Sequence, residues 1–465
     1  MDEILFAPAT TLATAIRARK VSSVEVVGAH LRRIEAVNPR LNAVVQLVAE
    51  RACAEAYAAD AALVRGDATG PLHGVPVTVK DQFDTAGIVS TSGSTGRAGF
   101  VPAADATAVA RLRRAGAVVL GKTNVPEFCV AFETDNLVYG RTNNPYDLAR
   151  TPGGSSGGEA AIIAAGGSPL GIGTDAAGSI RWPAHCCGIA GLKPTAGRTP
   201  RTGTFPPPVG HLERLWHVGA LARSVDDLTL ALSILAGPDG RDPAAAPAPI
   251  GDPGSVDLAG LRVAVHTDNG IVAPTPEIAA AVNSAASIAA DAGITVEESR
   301  PDGIDEGFFL TRDLFAADGG AGIGHLLQMI GTTQPSPLLG RLAAILGPAA
   351  ASSAADLGSL LARCDVFRAR MLGFLASYDA IICPVNANPA VPHGATFDED
   401  KLPGFSYTMT FNLTGWPAVV VRAGTSPEGL PIGVQIVARP WREDVALALA
   451  RRVERELGGW ERPAL

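Results

Sequence analysis

Several things are scarce in this sequence. Cysteine occurs six times in 465 residues, at 53, 129, 186, 187, 364 and 383, with no C-x-x-C pair and no even spacing. That excludes a disulfide-stapled scaffold and predicts unpaired thiols in a reducing, cytoplasmic setting. Basic clusters are also missing, and the formal net charge is -8, which argues against nucleic acid or an anionic membrane surface as a partner. No uninterrupted run of about 18 apolar residues exists to span a bilayer. The two most apolar stretches, Ile278–Val296 and Leu338–Ala351, are broken by Asn283, Asp291 or Arg341 and are expected to be core helices. The opening MDEILFAPAT is acidic and lacks the basic and apolar regions of a secretory signal. His185-Cys186-Cys187 has no second ligand cluster to complete a metal site and reads as buried thiols beside a core histidine.

Apolar material is plentiful. Hydrophobic residues make up 47% of the chain, enough for a large core, and the length suits either about three ordinary domains or one large α/β domain. Ser22-Ser23-Val24-Glu25 is a capping-box signature before a helix expected to reach Val37, where Asn38-Pro39 stops it. VPVTVK, residues 75–80, reads as a buried strand ending at Lys80. A helix over Ala108–Gly116 and a strand over Ala117–Leu120 follow. Beyond the glycine-dense block Pro152–Gly197, helical periodicity returns over Arg223–Leu235. Gly237–Gly254 is turn-rich and reads as a surface connection. LRVAVH, AIICPV and GVQIVA are strand candidates, Ala-rich helices fill Pro276 to about Leu375, and a last helix covers Glu443–Leu457. This alternation predicts an α/β architecture.

Three short motifs match patterns whose physics they do not satisfy. GAVVLGKT, Gly116–Thr123, fits the phosphate-binding G-x-x-x-x-G-K-[ST], but its inner residues Ala, Val, Val and Leu suit a buried strand rather than an anion cradle. GIGTDA, Gly171–Ala176, fits a dinucleotide fingerprint, yet no carboxylate follows at the required distance. GSSGG, Gly154–Gly158, fits a nucleophile elbow on Ser156, an α/β-hydrolase reading that stays open as an alternative. The preceding DLARTPGG is turn-like, and only His393 lies late enough to serve as base.

What remains is a joint arrangement. Lys80 closes HGVPVTVKD, Ser155 and Ser156 sit in TPGGSSGGEAA, and Ser179 sits in GTDAAGSIRWPA. Singly, Lys80 reads as a solvated strand-end lysine, the two serines as small loop residues and Ser179 as a helix N-cap. Their order and spacing, with GKTNVPEF, GRTNNPYD, GLKPTAGR, GALARSVDDL, FNLTGWPAVVV and GLPIGVQIVA around them, resemble the amidase signature family over most of the chain. The stretch Pro243–Asp379 carries little of that wording.

The resemblance implies one large α/β domain over residues 1–465, with a mixed central sheet and helices on both sides. It implies a hydrolase cleaving a carboxamide, anilide or carbamate C–N bond through an acyl-enzyme, without cofactor. Ser179 would be the nucleophile, Ser155 a bridging serine held by a cis peptide bond, and Lys80 the base. A lysine has an unperturbed pKa of about 10.4 and must be desolvated to act so, which the apolar strand Val75–Lys80 favours. The N–H groups of Ala176, Ala177, Gly178 and Ser179 would form an oxyanion hole. Ala177 stands where the family favours glycine, and Ala220 where it often has proline. Asp175 and Arg181 are expected to pair across the turn as support. Cys129 reads equally as pocket wall or core filler, and Ser156 as a neighbour of the substrate.

Selectivity is expected in the variable region Ile304–Leu361, with Phe308, Phe309, Phe315 and Leu326 as apolar candidates and an uncharged aryl or alkyl acyl group as substrate. A small-molecule amide is the expected partner, and a homodimer is within the family's range. A second reading within the family is the glutaminase subunit of a tRNA-dependent amidotransferase, although GGSSGGEAA with Glu159 looks more like the stand-alone amidases.

Overall fold

The computed structural model describes residues 2–67, 70–346 and 352–465. Eleven strands form one sheet: β1 (Val44–Leu47), β2 (Pro76–Lys80), β3 (Val118–Thr123), β4 (Leu170–Asp175), β5 (Ala190–Lys193), β6 (His217–Ala222), β7 (Arg262–Val265), β8 (Thr295–Glu298), β9 (Ala380–Pro384), β10 (Ala418–Thr425) and β11 (Pro431–Ala438). Their spatial order is β1-β3-β2-β4-β6-β5-β10-β11-β9-β7-β8. The sheet is mixed: β2 runs parallel to β3 and β4, and β7 to β8 and β9, while β4, β6, β5, β10, β11 and β9 pair antiparallel in succession.

The inner strands are buried on both faces, and their side chains sort by alternation. Val263, Ile382, Val419, Val434 and Ile436 point into a core shared with the helices Ala9–Arg17, Val225–Leu235, Pro276–Asp291 and Glu443–Leu457. Their strand neighbours Ala264, Ile381, Ala418 and Val437 face a second core built with Leu310, Phe367, Met371, Phe411 and Trp416. Helices therefore cover both faces.

Local expectations fare unevenly. The capping box on Ser22 is formed in full, but the helix runs Ser23–Leu41 with Pro39 inside it. Proline removes one backbone donor from the last turn, and the helix ends two residues later. The stop comes at Asn42, left-handed at φ 51, while the Asn38 side chain accepts the N–H groups of Ala43 and Val44. The helix expected to continue through Val296 ends at Asp291, and Thr295–Glu298 is a short edge strand hidden in a polar, half-exposed run. The helix Pro337–Leu346 forms, and the remainder of the expected segment to Ala351 lies outside the described residues. The final helix covers Glu443–Leu457 as read.

GAVVLGKT is resolved by β3, which runs straight through it to Thr123. Lys122 is fully buried and donates to the Phe83 carbonyl at 2.6 Å and Ser90 Oγ at 2.7 Å, with Asp81 at 3.3 Å. Burial pulls its amine down and Asp81 pulls it back up, and its contacts are all with the protein's own groups. Among the described residues no helix is long and apolar enough to cross a membrane.

Close strand spacing depends on glycine at Gly219, in the sheet interior. A Cβ there would fall 2.0 Å from the Leu192 carbonyl oxygen. Gly219→Ala is expected to lower stability by about 2 kcal/mol or more, read from the urea midpoint. An unchanged midpoint would mean that β5 and β6 have room the geometry denies.

Candidate active site

β2 and β4 are parallel neighbours, so their C-terminal ends meet at one edge of the sheet. Lys80 is the last residue of β2, and the turn Ala176–Ser179 leaves the end of β4. The loop 151–156 comes alongside and runs into the helix Gly157–Ala164. Three segments distant in sequence thus converge where open α/β sheets commonly present their sites.

Lys80 has no solvent exposure. Its Nζ donates to Ser155 Oγ at 2.7 Å and approaches Thr174 Oγ1 at 2.8 Å. Thr174 Oγ1 in turn donates to Gln82 Oε1, leaving its lone pairs for the lysine. Burial pushes the Lys80 amine below the usual lysine range, while Cys129, Asp175 and Glu159 pull the other way. The Gly154–Ser155 peptide bond is cis. The Ser156 N–H donates to the Ser179 carbonyl at 3.2 Å, tying the two serine segments together.

Ser179 lines an open pocket and is 6% exposed. The lysine is linked to Ser155, whereas no hydrogen bond joins Ser155 to Ser179 Oγ among the described residues. Such contacts are often long without substrate and tighten when it binds. Ser156 is fully buried; its Oγ lies 3.4 Å from the Thr174 carbonyl, and no strand leads into it as a nucleophile elbow requires. His393 bonds to the Leu148 carbonyl at 3.2 Å.

The turn is organised by Asp175. Its carboxylate accepts from the N–H groups of Gly178 at 2.8 Å, Ile180 at 3.1 Å and Arg181 at 3.3 Å. It also accepts from the Arg181 guanidinium at two positions, both 3.0 Å, and from Asn412 Nδ2 at 2.9 Å. Burial alone would raise this carboxyl, but Arg181, Lys193 and Asn412 overcome it and hold the group well below the usual range. The Gly178 N–H is therefore committed to Asp175, and the N–H groups of Ala177 and Ser179 have no protein acceptor among the described residues. Gly178 sits at φ 123, and a Cβ there would meet Thr408 Oγ1 at 2.5 Å, so glycine is required at this position.

The pocket in front of Ser179 opens onto about 750 Å³ of empty space. Ala176, Ala177, Cys129, Phe132, Phe308, Phe315 and Met409 are among its walls, and Arg312 is its only charged lining residue among those described. Cys129 thus falls on the pocket wall, beside Lys80 and Ser155, with its thiol pushed up by burial and pulled back by Lys80. Of the selectivity candidates, Phe308 and Phe315 reach the pocket. Phe309 is 40% exposed and stacks edge-on against Phe308, and Leu326 packs with Phe128 and Phe205 instead. On a helix, adjacent residues point about 100° apart, so Phe308 and Phe309 could not both face inward. His185 is a core residue: Nδ1 accepts from the Gly433 N–H at 3.0 Å, and Nε2 meets the Asn388 carbonyl at 3.1 Å.

Residue order alone does not single out Thr174, Gln82 or Asn412. Thr174 and Gln82 lie within GTDAAGS and VKDQF, close to the marked Ser179 and Lys80, and that proximity is the available signal. Asn412 lies 231 residues from Arg181, and its one signal is its place in FNLTGWPAVVV, a stretch without a marked catalytic residue.

Comparison with known proteins bears on this arrangement. The family model described as Amidase matches residues 25–447. A glutamyl-tRNA(Gln) amidotransferase subunit from Nitratidesulfovibrio vulgaris is 36% identical, covering 97% of this chain and 96% of its own. Indoleacetamide hydrolase of Bradyrhizobium diazoefficiens is 35% identical, covering 97% and 86%. The solved structure of 6-aminohexanoate cyclic dimer hydrolase with substrate superposes at a TM-score of 0.87 with 31% identity, covering 99% of both chains.

Beneath the site, Glu159 is fully buried and accepts from the hydroxyls of Thr78 and Thr123, the latter at 2.7 Å. Burial raises its pKa to about 7, against the pull of those hydroxyls and of Lys80. The folded state therefore binds a proton the unfolded chain releases, and stability falls as pH rises from about 4.5 through 7. Glu159→Gln is expected to match the wild type near pH 5 and to exceed it near pH 8. The gain would be on the order of 3 kcal/mol at most, read by chemical denaturation. A gap that does not grow with pH would show that the carboxyl titrates normally.

Proposed function

The chain belongs to the amidase signature family, whose members hydrolyse C–N amide bonds, and on that footing we propose that it is an amidase working through Lys80, Ser155 and Ser179. The observation that carries this reading is the buried Lys80 Nζ bonded at 2.7 Å to Ser155 Oγ, behind a pocket onto which Ser179 opens. A hydroxyl attacks only when a base takes its proton, and a desolvated lysine is neutral enough to be that base.

Ser179 Oγ attacks the amide carbon while its proton passes to Ser155, and the Ser155 proton to Lys80. The carbonyl oxygen becomes an oxyanion, to which the N–H groups of Ala177 and Ser179, without protein acceptors among the described residues, would donate. Collapse of the tetrahedral intermediate breaks the C–N bond, and the same relay returns a proton to the leaving nitrogen. Water then attacks the ester on Ser179 by the same path and releases the acid. Thr174 and Gln82 hold Lys80 on line, and Asp175 and Arg181 hold the turn.

The substrate is read as a neutral amide with an aryl or alkyl acyl group, because the pocket is apolar with one guanidinium. The amidotransferase reading draws support from relatives such as that of Nitratidesulfovibrio vulgaris. It ranks second because the pocket lining contains no carboxylate among the described residues to meet the ammonium of glutamine. The six cysteines, all unpaired in the structure, support a cytoplasmic setting.

A fluorophosphonate is expected to label Ser179, located by peptide mass spectrometry, and Lys80→Ala to lower amide turnover about 100-fold or more. The rise of kcat/KM with pH should have its midpoint well below about 10.4, the ordinary lysine value. An adduct on Ser156 that is indifferent to Lys80 would overturn the assignment. Neutral anilides and aryl acetamides should outpace glutamine, and the reverse order would favour the amidotransferase reading.

A further inference from the structure

One wall of the pocket has a second cavity behind it. Trp216 lines the apolar pocket with Ser179, and it also lines a polar cavity with Arg201, Glu213, Arg214 and Arg368. Its position is set by the sheet. His217 opens β6 opposite Asp175, so continuing that register places Trp216 beside Ala176. The preceding Leu215 is pinned through its carbonyl, which accepts from Asn412 Nδ2 at 3.1 Å and His217 Nδ1 at 2.8 Å. The backbone carrying the indole is therefore tied to the residues that fix the turn.

The pocket has a closed end and an open one. Trp216 is 8% exposed, whereas Ile345 on the wall from the helix Pro337–Leu346 is 37% exposed. In an acyl-enzyme mechanism the amine must leave and water must enter while the acyl group stays. The open end suits that traffic, and the closed end suits the part that remains bound.

We propose that Trp216 is a specificity-determining partition that closes the acyl end of the pocket and sets the length of acyl group accepted. The inference rests on the reading of Ser179 as the acylated residue. The indole N–H has no hydrogen-bond partner among the described residues, although buried indoles usually find one. Replacing the ring therefore breaks no hydrogen bond to another described residue. Beyond the wall, Arg201 is held by Asp242 at 2.7 Å and by Glu213 at 2.5 Å, and Arg368 is paired with Asp365 at 3.2 Å. Removing Trp216 would thus lengthen the apolar slot by the volume of the indole, with those charged residues marking where the added space ends.

The test measures binding of straight-chain alkylboronic acids of graded length, which bond reversibly to a serine nucleophile, by thermal shift. Wild type, Trp216→Phe and Trp216→Ala are compared. The optimum is expected at a short chain in wild type and Trp216→Phe, and at a longer one in Trp216→Ala, which should bind the longer members about tenfold more tightly than wild type does. Trp216→Leu stands in if the alanine variant does not fold. The same length profile in all variants, or none in any, overturns the partition. Hydrolysis of the matching acyl anilides separates the two claims. A shifted boronate profile without turnover by wild type would sink the hydrolase reading and leave the partition standing, whereas turnover with unshifted profiles would do the reverse.

Discussion

A lysine ammonium taken wholly out of water is costly unless the protein supplies partners or the group gives up its proton. Lys80 is in that position, and much of the site follows from it. β2 delivers the side chain to the sheet edge beneath the pocket, where Thr174 and Ser155 supply its two close contacts. Gln82 orients Thr174, and the buried carboxyl of Glu159 favours the charged amine only from a distance, its own hydrogen bonds going to Thr78 and Thr123. The result is an amine that burial pulls toward its neutral form and whose contact with Ser155 is fixed. Lys122, buried just as completely, is pulled down by burial in the same way, but its partners differ: Asp81 lies at 3.3 Å, and its hydrogen bonds go to the Phe83 carbonyl and Ser90 Oγ, away from the serines of the site.

The second organising group is the Asp175 carboxylate. It gathers three backbone N–H groups of the turn and the Arg181 guanidinium, and Arg181 reaches Gln435 and Asn412 across the sheet. That lattice leaves the turn little freedom. It commits the Gly178 N–H to Asp175 and leaves those of Ala177 and Ser179 without protein acceptors among the described residues. It also reaches Leu215 through Asn412, so the pocket wall at Trp216 shares a foundation with the turn carrying Ser179. Position and selectivity are thereby built on one set of buried polar contacts, which a preorganised site requires.

Legibility in the sequence followed the range of the interactions. VPVTVK announced its strand through β-branched residues, and Ser22 and Glu25 announced their capping box, because both signals lie within a few neighbours. Thr295–Glu298 was missed because a half-exposed edge strand has no apolar run to reveal it. Phe308 and Phe315 reach the pocket and Phe309 and Leu326 do not, because apolarity, which all four share in the sequence, says nothing about the direction of a side chain.

The sequence by itself determined the class of the molecule. The ordered wording from GKTNVPEF to GLPIGVQIVA establishes family, and strand-helix alternation establishes an α/β sheet, since both are written in residue order. Only the tertiary structure decided which groups touch. Lys80 and Ser155 are 75 residues apart, and Asn412 and Asp175 are 237 apart. Their meeting depends on the parallel register of β2 with β4 and on the helix Ser406–Leu413 packing over the turn. Hydrogen bonds act over about 3 Å. The chain brings such partners within that reach only after the whole sheet has closed.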